Sequence, residues 1–208
     1  MGLPTYWWFS DVSKKLMDPG KSSTKKRVAD VGVTHTEDCV PVPGLRGLHA
    51  GPTIIDALQG APGPFLWQVN LGGVVVHDRV RSKTESRLLG RFPLEDAKIS
   101  SASERTYNWG ADVSDVLMKY ARVCALDTID QWDASDTVRE FLETGNPDLK
   151  EAVRIECSGK GQMGAAGYIA AALRAEPVSV ARCATSIALK YMSKEELHTR
   201  IWNLTQEQ

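Results

Sequence analysis

The hydrophobic pattern changes period once along the chain, near Gly110. Before it, short runs rich in aromatic and β-branched residues are separated by glycine and proline. These runs are TYWWF (Thr5–Phe9), VGVTH (Val31–His35), FLWQVNL (Phe65–Leu71), VVVHD (Val74–Asp78) and ERTYNW (Glu104–Trp109). Their composition and punctuation predict β-strands. FLWQVNL and VVVHD meet at Gly72-Gly73, a pair able to take the positive φ of a two-residue turn, so a hairpin is expected there. TIIDALQG (Thr53–Gly60) offers a threonine cap, apolar Ile54, Ile55 and Leu58 and a terminal glycine, which predicts a two-turn helix just after His49.

From Asp112 the period becomes helical. In DVSDVLMKYARVCALDTIDQW, Val113, Val116, Leu117, Tyr120, Ala121, Cys124 and Leu126 recur at three- and four-residue steps, leaving Asp115, Lys119 and Arg122 outside the stripe. Further helix starts are marked by Ser135-Asp136, by Asn146-Pro147, by Pro177 and by Ser193 with Glu196 in capping-box spacing. Gly145 and the Gly159/Gly161 pair supply stops. The predicted fold class is α+β: a small twisted β-rich domain with one or two short helices over residues 1–110, then a train of about five short packed helices over 111–208, at ordinary globular helix length.

Composition narrows the function classes more than it selects one. The 208 residues are 42% hydrophobic, enough for a substantial core. The 25 basic and 26 acidic side chains nearly cancel, so no global field holds nucleic acid or an anionic membrane. The first residues carry no basic and apolar leader, and Tyr6 stands where a myristoylation signal needs serine or threonine, which predicts a cytoplasmic chain without membrane spans. Cys39, Cys124, Cys157 and Cys183 are dispersed, three of them in predicted helices, as small core residues in a reducing compartment would be.

Several motifs taken in order, YWWFS, VGVTH, GLHAG, DALQGAPGPFLWQVNLGGVVVH, SASERTYNWGADVSDVL and ARVCALDTIDQWDASDTVREFLETG, resemble an uncharacterised family of bacteriophage and phage-associated bacterial proteins over roughly residues 5–145. The resemblance names no activity. It implies a phage-type accessory protein that acts by macromolecular binding, to a host factor, a defence component or another phage protein, in the host cytoplasm. One departure from the pattern is the segment RVRSKTESRLLGRFPLE (Arg79–Glu95), which carries Arg79, Arg81, Lys83, Arg87 and Arg91. As an insertion at a hairpin end it reads as a solvated extension or as a contact arm for an acidic protein surface, with nucleic acid the less favoured partner.

A polar constellation lies around the predicted strands: His49, His77, Lys98, Glu104 and Arg105. If the strand at Glu104 pairs with the hairpin, these side chains share a sheet end. They could bind a phosphate or nucleotide there, or act simply as register-fixing ion pairs and a histidine satisfied by backbone. GLHAGPTIIDAL followed by PFLWQVNL is similar to the histidine strand, helix and next strand of the ADP-ribosyltransferase and RNA 2′-phosphotransferase superfamily. That resemblance implies NAD as cofactor, held by His49 and His77 with Tyr6 or Trp8 stacking, and Glu104 as the acid orienting the acceptor. Without it no cofactor is expected. The spacing of His35, Cys39 and His49 matches no zinc site, so no metal is predicted. GKGQMG lacks the order of a phosphate loop and reads as a helix–helix turn. KSSTKKR (Lys21–Arg27) lacks interleaved aromatics and reads as a loop tip. In YWW, Trp7 and Trp8 point to opposite faces of a strand, so one of them is expected to cover the helical half or mark an interaction surface.

Overall fold

The computed structural model describes residues 4–16, 27–79, 97–131, 134–157 and 176–208. The fold is α+β, with the strands first and most of the helices after them. The chain separates into two compact units, residues 1–113 and 114–208.

Unit 1 is a five-stranded antiparallel sheet of β1 (Tyr6–Ser10), β2 (Thr34–Thr36), β3 (Leu48–Ala50), β4 (Phe65–Arg79) and β5 (Lys98–Asp112). The ladder runs β1-β4-β5, and β5 is long enough to pair on its far edge with both β2 and β3. Gly51, directly after β3, then exchanges two backbone hydrogen bonds of 2.8 Å with Trp7 of β1. The sheet thus curls round until its two edges touch at one residue pair. Alternation along β1 sends Trp8 to the face shared with Trp67, its direct partner on β4, while Trp7 and Phe9 occupy the other face. Trp67, Val69, Leu71, Ala102, Tyr107 and Ala50 form the enclosed cluster, with Tyr6, Trp8 and Val75 against it. The helix α1 (Ile54–Gln59) packs on β1 and buries Ile54, Ile55 and Leu58; Thr53 caps it as expected.

Two expectations need correction. Gly72-Gly73 is not a hairpin turn: β4 runs without interruption through it for 15 residues. Gly73 does take a positive φ of 63°, but it spends it on a β-bulge between Gly72 and Val75, and the Val74 N–H is taken up by the Ser103 hydroxyl at 3.0 Å. A glycine pair signals positive φ, and a bulge and a turn use the same signal. The β4–β5 ladder extends instead to Arg79↔Lys98. Secondly, the strand expected at Val31–His35 is shorter and later, because Gly32 at φ 81° turns the chain before β2 begins. Arg81, Lys83, Arg87 and Arg91 lie outside the described residues, as do most of Lys21–Arg27, Gly159–Gly164 and the side chain of Arg79.

Unit 2 contains α2 (Ser114–Leu126), α3 (Asp136–Thr144), α4 (Lys150–Cys157), α5 (Pro177–Ala188) and α6 (Lys194–Gln206). Its boundaries follow the capping residues read from the sequence. Ser135 accepts from Val138 N–H, Gly145 takes φ 72° at the end of α3, and Ser193 with Glu196 forms the reciprocal capping box. Asn146-Pro147 opens a short 3-10 turn that leads into α4 rather than starting that helix itself. The apolar stripe of α2 buries Val116, Leu117, Tyr120, Ala121 and Cys124, and its main neighbour is α5. Ala181, Ala184 and Ala188 on α5 are small enough for the two helices to approach closely. No helix among the described residues is long and apolar enough to cross a membrane.

Candidate binding cleft

Trp7 of β1 is bridged to Gly51, just after β3, and a gap opens beside that bridge. The gap is a cleft of about 600 Å³ within unit 1, bounded by Trp8, Phe9 and Asp11 on one side, and by Gly44–Gly51 and Glu37–Cys39 on the other. Asp56, Ala57 and Gln59 of α1 also line it, with Lys98.

Arg105 reaches this cleft from β5 although only 2% of its surface is exposed. Its guanidinium lies over the Trp8 ring, 3.8 Å from the centroid. Its Nε and Nη2 donate to the Tyr107 hydroxyl at 3.0 and 2.7 Å, and Nη1 donates to the His49 carbonyl at 2.7 Å. Because Arg105 and Tyr107 are two apart on one strand, they share a face, and the bond between them follows from strand period alone. A hydroxyl that accepts from Arg105 has its own proton left to give. The Tyr107 hydroxyl therefore donates to His35 Nδ1, 3.2 Å away, and puts the proton of His35 on Nε2. Burial pushes the Tyr107 pKa up and that of Arg105 down, with the neighbouring Arg27 adding to the latter. Among the described residues no carboxylate pairs with Arg105: the Coulombic field of Glu37 reaches it, but Glu37 is ion-paired with Arg27.

His49 is the hinge of the cleft's outer wall. Its Nε2 lies 3.0 Å from the Gly44 nitrogen and 3.4 Å from the Val42 carbonyl. One nitrogen cannot accept from the first and donate to the second at once. The shorter contact belongs to the neutral ring, with Nε2 accepting from Gly44 and the proton on Nδ1; the Val42 carbonyl becomes a partner when the ring is protonated. Burial dominates and holds the His49 pKa below its ordinary value, with Arg105 acting in the same direction. In its neutral form the ring pins the 42–46 turn, whose Val42 and Arg46 form a bridge and whose Gly44 has φ 80°.

Among the described residues, the basic lining groups are Lys15, Arg27, Arg46, Lys98 and Arg105. The acidic ones are Asp11, Glu37, Asp38 and Asp56, so the described lining carries a net charge of +1. Asp56 is buried and committed: its two oxygens accept from Lys98 N–H at 2.8 Å and from the Thr53 hydroxyl at 2.7 Å. In comparisons with protein-family models, curated proteins and solved structures, nothing matches the chain.

The structure divides the polar constellation of the sequence into three places. His49, Lys98 and Arg105 line the cleft. His77 does not: its Nδ1 is 2.9 Å from the Ser100 hydroxyl and its ring stacks on Tyr6, 6.2 Å between centroids and 14° between planes. Tyr6 and His77 line a second, separate cavity of about 520 Å³ with Pro52, Asp78 and Ser100, and Lys98 touches both cavities. Glu104 lines neither cavity. It is exposed, its neighbour in register is Gly72, and its side chain lies against Gly72 and Gly73. The transferase-like role for Glu104, with His49 and His77 on one nucleotide, therefore has no common site in this geometry. The sequence does not foretell Tyr107 beside Arg105; neither does it foretell the Arg27–Glu37 pair, since Arg27 reads as part of a loop tip, nor His35, which is weighed only as a zinc ligand. The Arg-x-Tyr spacing on a strand was the available signal for the first, but nothing local announced the others.

Proposed function

We propose that the protein acts by binding, and that the cleft of unit 1 receives an extended segment of a protein partner. The observation that carries this reading is the free edge of β1 inside the cleft. Trp7 turns its N–H and C=O to Gly51, so by alternation Tyr6, Trp8 and Ser10 pair with β4, while Phe9 turns its N–H and C=O away from β4 toward the cleft. No described group takes them up. An added strand would do so, as sheet edges do in peptide recognition. The rim suits an apolar partner: Leu45, on the turn that His49 pins, is 71% exposed. The groups with catalytic potential are meanwhile occupied in holding the wall, Arg105 by Tyr107 and His49 by Gly44. The resemblance to phage-associated proteins suggests the partner's origin, a host factor, a defence component or another phage protein.

The test is site-specific photocrosslinking during infection, with benzoylphenylalanine replacing Leu45 on the rim or, as a control, Tyr191, exposed in unit 2. A discrete adduct from position 45, absent from 191, is the expected result. Position 45 giving no adduct, or both positions giving the same one, would contradict cleft binding.

A further inference from the structure

Of the five N–H groups of a guanidinium, Arg105 has three engaged: Nε–H and one on Nη2 by Tyr107, and one on Nη1 by the His49 carbonyl. One N–H on each of Nη1 and Nη2 has no acceptor among the described residues. The group is also a buried cation without a carboxylate, held over Trp8 at the wall of the cleft. Such a charge is costly to bury, and cation–π contact and neutral acceptors offset only part of that cost. A fold that needed nothing more than a filled interior would do better with an apolar side chain there. We propose that Arg105 is the receptor for a single carboxylate of the bound partner, an inference that rests on the cleft being the binding site.

Carboxylate is favoured over phosphate by charge. A guanidinium presents its N–H groups in a plane that matches two oxygens of either group. The described lining has a net charge of +1, which a monoanion neutralises and a phosphate dianion oversteps. Neutral His49, whose Nδ1–H has no described partner, and the basic Arg46 on the pinned turn stand on the same wall as further donors. The carboxylate can come from the end of a chain or from an acidic side chain, since both offer the same planar group.

The direct test follows the guanidinium of Arg105 by NMR in arginine-labelled wild-type protein, because burial keeps its Nε–H observable. Propionate, propionamide, orthophosphate and chloride are titrated at matched ionic strength. A saturable shift of the Arg105 signal with propionate, half complete on the order of 1–10 mM as a five-heavy-atom ligand allows, and none with propionamide or chloride, is the expected result. No saturable shift with propionate, or orthophosphate binding tenfold more tightly, would overturn it. Arg105→Lys assigns the signal; if that variant fails to fold, Tyr107→Phe does so by moving it. Two tripeptides then separate the sources: N-acetyl-Ala-Val-Glu-amide has only a side-chain carboxylate, and N-acetyl-Ala-Val-Gln with a free terminus has only the terminal one. The peptide that binds more tightly than propionate identifies the source, and binding of neither at the Arg105 signal counts against a peptide carboxylate. A partner crosslinked at position 45 without any response of Arg105 would defeat this inference and leave the cleft reading standing. A propionate response without a crosslinked partner would leave a carboxylate site at Arg105 and count against the cleft as the seat of a protein partner.

Discussion

In unit 2 the buried hydroxyls are met within a helix or by the facing one, while Arg122 Nε is buried without a hydrogen-bond partner among the described residues; in unit 1 buried polar groups tie separate elements together. In unit 2 the Thr128 hydroxyl bonds the Ala125 carbonyl and that of Thr205 the Ile201 carbonyl, three and four residues back, and Thr185 meets Tyr120 on the facing helix. Cys124, beside them, is a thiol whose pKa burial pushes up to about 11, so it stays protonated and inert near neutrality. In unit 1 the buried groups are charged or joined at long range. Arg105 ties β5 to the His49 carbonyl of β3, Asp56 ties α1 to the backbone of Lys98, and Ser101 donates to the Arg46 carbonyl at 2.5 Å. Unit 1 keeps a buried cation, Arg105, that no described carboxylate pairs with, and the proposed site is built on it.

Substitutions can sharpen that contrast. The largest effect is expected at Gly51, where the two edges of the curled sheet meet. A Cβ there would stand 2.9 Å from the Asp56 carbonyl carbon and closer still to the Ala57 nitrogen, both backbone atoms. Gly51→Ala should cost about 3 kcal/mol in denaturant unfolding, and an unchanged midpoint would show that the closure is loose. Next comes a matched pair of hydroxyl deletions. Tyr107→Phe leaves two buried N–H donors of Arg105 unmet and should cost about 2 kcal/mol, while Tyr120→Phe removes one neutral bond and should cost about 1 kcal/mol. Equal costs would erase the distinction between the two interiors. Ser193→Ala, which removes a cap that belongs wholly to α6, should cost roughly 0.5–1 kcal/mol.

The smallest effect is one of pH. A histidine whose folded pKa lies below its unfolded value of 6.5 binds protons more readily when unfolded. Its contribution is therefore complete above 6.5, falls as the pH drops below that value, and levels off once the folded ring protonates too. His49→Gln, which keeps an acceptor for Gly44 but cannot titrate, should flatten the stability profile of the wild type between pH 7 and 5. Identical slopes for the two proteins would remove His49 as the source.

The same contrast explains what the sequence disclosed. The helices of unit 2 were legible because their signals are local: Ser135, Gly145 and the Ser193–Glu196 box act within one turn, and the α2 stripe repeats within four residues. The strands of unit 1 were legible as elements but not in their connections. Gly72-Gly73 announced positive φ without saying whether the chain would turn or bulge, and only the pairing of β4 with β5 decides it. The cleft was half visible. His49, Lys98 and Arg105 were singled out together and do share it, whereas His77 and Glu104, equally near in sequence, are turned to other places by strand alternation and the bulge. Glu37, Arg27 and His35 come to Arg105 only because β2 pairs with β5, a contact between residues some 70 positions apart that no local pattern records.

The charge of Arg105 is kept either for a ligand or for the fold, and the double variant Arg105→Met with Tyr107→Phe separates the two. Arg105 and Tyr107 are then both apolar and of similar size, so no buried charge or N–H is stranded, and only the acceptors His49 C=O and His35 Nδ1 each lose a donor. Unfolding and propionate-dependent melting are measured on it and on the wild type. The predicted result is a double variant more stable than Tyr107→Phe alone whose melting temperature ignores propionate, beside a wild type whose melting temperature rises with it. A double variant less stable than Tyr107→Phe alone, beside a wild type indifferent to propionate, would make Arg105 a structural residue and contradict the account.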